Sequence, residues 1–212
     1  MGRRITVRFE NADGIELHGI LERPEAGASR GIVLFAHCFT CTKNIKAAVN
    51  IARRMTREGF SVFRFDFTGL GESDGDFSAS NFSSNVEDLI AAARHLEAEH
   101  GSVDILLGHS LGGTAILQAA ASIASAKLVA TIAAPADPAH VTRLFDRDLE
   151  QIRKDGEACV SLAGRPFRIR RQLIDDLEAV QWQQCVRELR RPRVICHSPV
   201  DDTVGIDNAA EL

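Results

Sequence analysis

The sequence contains no uninterrupted apolar run approaching the length of a membrane span. Its opening, Met1-Gly2-Arg3-Arg4-Ile5-Thr6-Val7, enters a strand pattern at once and lacks the apolar core of a signal peptide. Gly2 followed by Thr6 within that strand pattern is not read as a myristoylation site. There is no excess of positive charge. With 25 Lys and Arg against 29 Asp and Glu, the net charge of −4 argues against nucleic acid or an anionic membrane as the main partner. The five cysteines cannot form a complete disulfide framework, so a reducing, cytoplasmic setting is expected. Cys159, Cys185 and Cys196 lack metal-ligand spacing, and neither a metal nor a cofactor is expected. Internal repeats and low-complexity stretches are absent as well. What is there, 212 residues with 45% hydrophobic and 25% charged side chains, suits one globular domain, or one domain with an insertion.

Residues 4–10 alternate with Ile5, Val7 and Phe9 on one face, the period of a strand. Asn11-Ala12-Asp13-Gly14 is a turn signal, and Ile15, Leu17, Gly19 and Leu21 repeat the alternation, predicting an antiparallel hairpin. Residues 31–36 are a continuous apolar run of the kind buried on both faces of a parallel sheet, and 60–65 are read as another strand. Between and after them, 44–58 and 81–99 have amphipathic helical patterns, the first ended by Gly59. Further strands are expected at 103–107, 127–133 and 193–196. Strands alternating with helices from the third strand onward predict an α/β fold with a mainly parallel sheet. Residues 135–192 break that rhythm with short helical patterns at 139–145, 147–155 and 172–180 and a small hairpin near Gly164. They are too long for a simple connection and are read as an inserted, largely helical cap over a core made of 1–134 and 193–212; one crossover helix with long loops is the plainer alternative.

The chemistry centres on Gly108-His109-Ser110-Leu111-Gly112, placed between a strand and an alanine-rich helix. In that position a serine sits on a sharp turn with its hydroxyl outside the sheet, beside the free N–H groups of a helix N-terminus. The competing reading is that Ser110 only caps the helix and the glycines only turn the chain. A serine hydroxyl needs a base and a group to orient that base. The loop after the seventh strand, Ser198-Pro199-Val200-Asp201-Asp202-Thr203-Val204, offers two carboxylates; Asp201 is preferred on its spacing to Val204, with Asp202 second. An oxyanion hole would take the Leu111 N–H and, from the loop after the third strand, the Phe39 N–H, with His37 bracing that loop.

The order of elements together with Gly-His-Ser-Leu-Gly-Gly and Asp66-Phe67-Thr68-Gly69-Leu70-Gly71-Glu72-Ser73 resembles the α/β-hydrolase superfamily. The strings His37-Cys38-Phe39-Thr40-Cys41, Asn81-Phe82-Ser83-Ser84-Asn85, Ala134-Pro135-Ala136-Asp137-Pro138-Ala139-His140 and Val204-Gly205-Ile206-Asp207-Asn208-Ala209-Ala210 resemble a bacterial subfamily. In that subfamily the hydrolase domain is often fused to an OsmC-like domain. The resemblance implies a serine hydrolase acting on an ester or related acyl bond of a small-molecule substrate, and an OsmC-like domain following in the full-length protein. It also implies a histidine base after an eighth strand, whereas the seven histidines here all precede Asp201. His109 is expected to point away from the pocket, and His18, His95, His100 and His197 belong to a hairpin, a helix and a strand end; His140 is the single stand-in. The chain is therefore expected to be a fragment lacking the last strand and base-bearing loop, weakly active, with an open sheet edge at 194–196 that invites self-association. Two rival functions remain: a thiol-redox protein using Cys38 and Cys41, a Cys-x-x-Cys pair between a strand and a helix, or a non-catalytic binding module on the same fold.

Overall fold

The computed structural model describes residues 2–25 and 27–212. Its main sheet has seven strands. β1 (Arg3–Glu10) and β2 (Glu16–Arg23) form the antiparallel hairpin, and β2 pairs antiparallel with β4 (Ser61–Phe65). From β4 onward the pairing is parallel through β3 (Ile32–Ala36), β5 (Val103–His109), β6 (Leu128–Ile132) and β9 (Arg193–Cys196). The spatial order β1-β2-β4-β3-β5-β6-β9 makes β9 an edge strand, with Val194 46% exposed.

Strand period divides the core between two faces. Val33 and Phe35 of β3, with Val62 and Leu107, pack on Ala48 and Ala52 of α1 (Lys46–Arg57). Their neighbours Ile32, Leu34 and Ala36 face the larger core, which holds α2 (Phe82–Glu99) and α3 (Leu111–Ala119). All five residues of β3 are buried, which explains its unbroken apolar character; all five of β4 are buried too, but they include Ser61 and Arg64, whose guanidinium pairs with Glu22 of β2. The α2 helix starts with a capping box in which Asn81 accepts from the Ser84 N–H and the Ser84 hydroxyl pairs with the Asn81 N–H.

Between β6 and β9 the chain runs through a 3-10 helix (Pro138–Asp148) kinked at Phe145, α4 (Leu149–Asp155), the antiparallel pair β7 (Glu157–Leu162) and β8 (Arg165–Arg170), α5 (Arg171–Ala179) and α6 (Trp182–Glu188). The segment is less helical than its sequence pattern predicts: its first helix has 3-10 geometry, and twelve residues form strands. The α6 helix and α7 (Asp207–Glu211) are short and have no clear periodic signal in the sequence. Side-chain bonds tie the segment to the start of α2: Ser83 donates to Asp176 through N–H (2.8 Å) and hydroxyl (2.6 Å), and Gln172 Nε2 donates to the Ser80 carbonyl (2.8 Å).

Candidate active site

The parallel strands leave their C-terminal ends along one edge, and this is where open α/β sheets place their ligands. The order β3-β5-β6-β9 sets the Phe39 loop on one side of Ser110 and the Asp201 loop on the other. Ser110 joins β5 to α3 with φ 54° and ψ −129°, a left-handed conformation for a residue with a side chain. Such a conformation costs about 1–3 kcal/mol and persists only where the surroundings over-determine it. Here the surroundings are explicit. The Ser110 N–H donates to the Ile132 carbonyl (2.9 Å), and its own carbonyl accepts from Gly113 N–H (2.8 Å). A Cβ on Gly108 would lie 2.4 Å from the Gly112 carbonyl oxygen, and one on Gly112 would lie 2.2 Å from the His37 carbonyl oxygen. Only glycine lets the strand, the helix and the Phe39 loop approach this closely.

The Ser110 hydroxyl makes no capping bond to α3, which removes the simple helix-cap reading. Neither the Leu111 N–H nor the Phe39 N–H donates to another group among the described residues. A void of about 10 Å³, room for a single oxygen-sized atom, lies between the Phe39 loop and the start of α3, with Phe39 and Leu111 both in its lining.

Asp201 and Asp202 occupy different environments. One Asp201 oxygen accepts the N–H groups of Val204 (2.9 Å) and Thr203 (3.0 Å), and these bonds hold its carboxyl below the usual carboxylate range. Asp202 is exposed, and its one side-chain contact is with the neighbouring Thr203 hydroxyl (3.4 Å). His197, at the end of β9, donates from Nε2 to the Val204 carbonyl (2.7 Å) and stands 3.8 Å from Asp201. It thereby closes the 201–204 turn from behind, a contact across seven residues that no local pattern announces.

His37 and His109 flank the elbow. His37 is buried, its Nδ1 donates to the Cys38 carbonyl (2.9 Å), and its ring meets Phe67 edge-on. Burial pushes its pKa down to about 4. His109 is half-buried, and its Nδ1 has no hydrogen-bond partner among the described residues. Burial lowers its pKa while the Asp201 charge works in the opposite sense. His140 shows the same pattern, with Arg143 adding to the lowering, and lines a cavity of about 530 Å³ with Trp182 and Asn208. No histidine nitrogen is bonded to the Ser110 hydroxyl among the described residues.

The Phe39 loop is pinned from below by Lys43, which the sequence pattern does not single out, against two carboxylates of the Asp66–Ser73 string. Lys43 and Asp66 form a fully buried ion pair, Asp66 also accepts the Lys43 N–H (2.6 Å) and the Glu72 N–H (2.9 Å), and Glu72 closes on Lys43 at 2.5 Å. From above, Arg165 at the β7–β8 turn donates to the Thr40 carbonyl, and the Phe39 ring packs between Phe77 and Phe145. Cys38 and Cys41 are joined by a disulfide. The thiol set is therefore not wholly reduced, unlike the expectation from the odd count, while Cys159, Cys185 and Cys196 are free.

A sequence model of the family described as serine aminopeptidase, S33 (Hydrolase_4) matches residues 27–155. The chain belongs to this hydrolase family. The matched stretch runs from just before β3 through α4 and includes Ser110. Among structures, this S33-family chain is similar to the esterase domain of a Rhodothermus marinus protein, at 46% identity and a TM-score of 0.77 over 99% of this chain and 82% of that one. It shares its fold, an α/β-hydrolase fold, with Est1E of Butyrivibrio proteoclasticus, at 19% identity and a TM-score of 0.81 over 96% of this chain and 83% of that one. Among curated proteins it is similar to the uncharacterized protein YfhR of Escherichia coli K12, 28% identical over 113 residues, 53% of this chain. The matched part spans 40% of that relative's length.

Proposed function

We propose that this hydrolase cleaves an ester or related acyl bond through a covalent acyl intermediate on Ser110. The observation that carries the reading is the strained Ser110 backbone, held between Gly108 and Gly112 with the hydroxyl unbonded at the start of α3. The Ser110 oxygen attacks the acyl carbon, and a base takes its proton. The carbonyl oxygen gains the negative charge and is received by the Leu111 and Phe39 N–H groups. The base then protonates the departing alcohol, and water releases the acid by the reverse sequence. Asp201 orients and stabilises the base. Its two backbone N–H bonds support that role over Asp202, because they keep the carboxylate ionised and in one orientation. The reading assigns the base to a histidine outside residues 1–212, supported by the lack of a histidine nitrogen bonded to the Ser110 hydroxyl among the described residues; His140 is the alternative. The 46% identical Rhodothermus esterase domain supports the acyl bond as the target. Residues 135–192 act as a cap, supported by Phe145 on Phe39, Phe167 on Phe77 and Arg165 on the Thr40 carbonyl.

The test is labelling with a serine-directed fluorophosphonate, together with p-nitrophenyl acetate turnover with and without added imidazole. Wild type should label at Ser110 when imidazole is present, and imidazole should raise its turnover by supplying the base from solution. Ser110→Ala should lose both responses. Turnover that survives in Ser110→Ala defeats the assignment. Turnover that ignores imidazole and falls in His140→Ala moves the base to His140.

A further inference from the structure

We infer that Cys38 and Cys41 are a reversible dithiol–disulfide site built into the oxyanion loop, through which the redox state of the surroundings sets the rate of acyl chemistry. This rests on the reading of the Phe39 N–H as an oxyanion donor. The pair is not a separate redox domain, because it lies in the loop between β3 and α1 of the hydrolase sheet. The bond closes a four-residue ring, and the two residues inside it are the ones that matter. Phe39 carries the free N–H, and Thr40 accepts from Arg165 of the insertion. Cys41 N–H donates to the Cys38 carbonyl across the ring (3.1 Å), and that carbonyl also takes the His37 Nδ1–H.

Both cysteines are half-buried, so a small thiol can reach them. The remaining cysteines form no pair: Cys159 and Cys196 are exposed, and burial pushes the Cys185 thiol up. Reduction begins when the thiolate of a dithiol attacks one sulfur of the bond, which breaks to leave a mixed disulfide and one protein thiolate. The reductant's second thiolate then displaces the other protein sulfur. Two electrons pass to the protein, Cys38 and Cys41 each end with a proton, and the reductant leaves as a cyclic disulfide. In a glutathione buffer two glutathione thiols take the place of the dithiol and leave as glutathione disulfide, and glutathione disulfide re-forms the Cys38–Cys41 bond by releasing two glutathione thiols.

Opening the ring returns backbone freedom to 38–41 while the anchors at His37, Lys43 and Arg165 remain. The Phe39 N–H then spends less time at the position where oxyanion charge develops. Removing such a donor altogether costs roughly 10²–10³ in kcat, so loosening one should cost about 10-fold. The loss should fall on kcat and leave KM nearly unchanged, because the interaction is made in the transition state.

The 212-residue chain is equilibrated in glutathione buffers of graded potential. Cys38 and Cys41 are then trapped with a maleimide and counted by mass. In parallel, amide hydrogen exchange is followed on the 37–45 peptide, and p-nitrophenyl acetate turnover is measured with imidazole. The expected result is one two-electron transition, faster exchange at 38–41 and about 10-fold lower kcat in the reduced form. Cys38→Ser/Cys41→Ser should match the reduced wild type and ignore the reductant. A Cys159→Ser/Cys185→Ser/Cys196→Ser protein should respond as wild type does. Equal exchange and equal turnover in both states overturn the switch and leave the acyl chemistry standing. Turnover absent in both states, with exchange still redox-dependent, overturns the acyl reading and keeps the redox site.

Discussion

Lowering the pH should destabilise the protein through His37 before the carboxylates begin to protonate. His37 is 1% exposed, and its Nε2 is buried without a partner among the described residues. Burial is the main cause holding its pKa at about 4; the Cys38 carbonyl and Asp66 pull upward, and Lys43 and His109 push further down. In the unfolded chain the group returns to about 6.5. Between those values the unfolded state binds a proton that the native state refuses, so stability is fully present above pH 6.5 and falls as the pH drops toward 4. The gap corresponds to about 3 kcal/mol in total, of which about 2 kcal/mol is lost between pH 7.5 and pH 5. Urea unfolding at the two pH values reads this as a midpoint lower by about 1 M at pH 5. Half-buried histidines add in the same direction, since His100, His109 and His140 are also pushed down. The decisive quantity is therefore the difference between wild type and His37→Asn, whose amide can keep the bond to the Cys38 carbonyl. The variant should lose about 2 kcal/mol of the pH dependence. An unchanged pH slope in His37→Asn would refute the assignment of the proton to this site.

Asp201→Asn, assayed in a chain that carries the base, should lower kcat by roughly 10²–10⁴, while Asp202→Asn stays within about 2-fold of wild type; the reverse ranking moves the orienting role to Asp202. Gly112→Ala forces a Cβ to within 2.2 Å of the His37 carbonyl oxygen and should destabilise by about 1–3 kcal/mol in urea unfolding; unchanged stability would mean that the loop yields freely. Limited proteolysis, read by mass, should cut first within 136–190, at exposed sites such as the β7–β8 turn at Gly164, before any strand of the main sheet is cut.

The local pattern of residues was enough for the elements and their order. The continuous apolar run at β3, the alternation of β1 and β2, and the amphipathic stretches of α1 and α2 each follow from a pattern that neighbouring residues carry by themselves. The Gly108-to-Gly112 turn was legible for the same reason: strand, turn and helix signals lie within a few residues of one another. The hairpin of β7 and β8 was legible at its turn near Gly164, whereas the 3-10 geometry of 138–148 was less legible, since short segments hold their shape through tertiary contacts rather than through propensity.

Alone, the sequence determined the α/β class, the place of Ser110 at a strand-to-helix turn, and two carboxylates in the loop after the last strand. Tertiary structure alone decided what surrounds them. Two backbone N–H groups and His197 distinguish Asp201 from Asp202, the Lys43–Asp66 pair pins the Phe39 loop, and Arg165 reaches the Thr40 carbonyl from 125 positions away. The physical reason is separation along the chain. A hydrogen bond between residues far apart in sequence leaves no periodic trace in it, and exists only once the sheet has brought its strand ends to one edge.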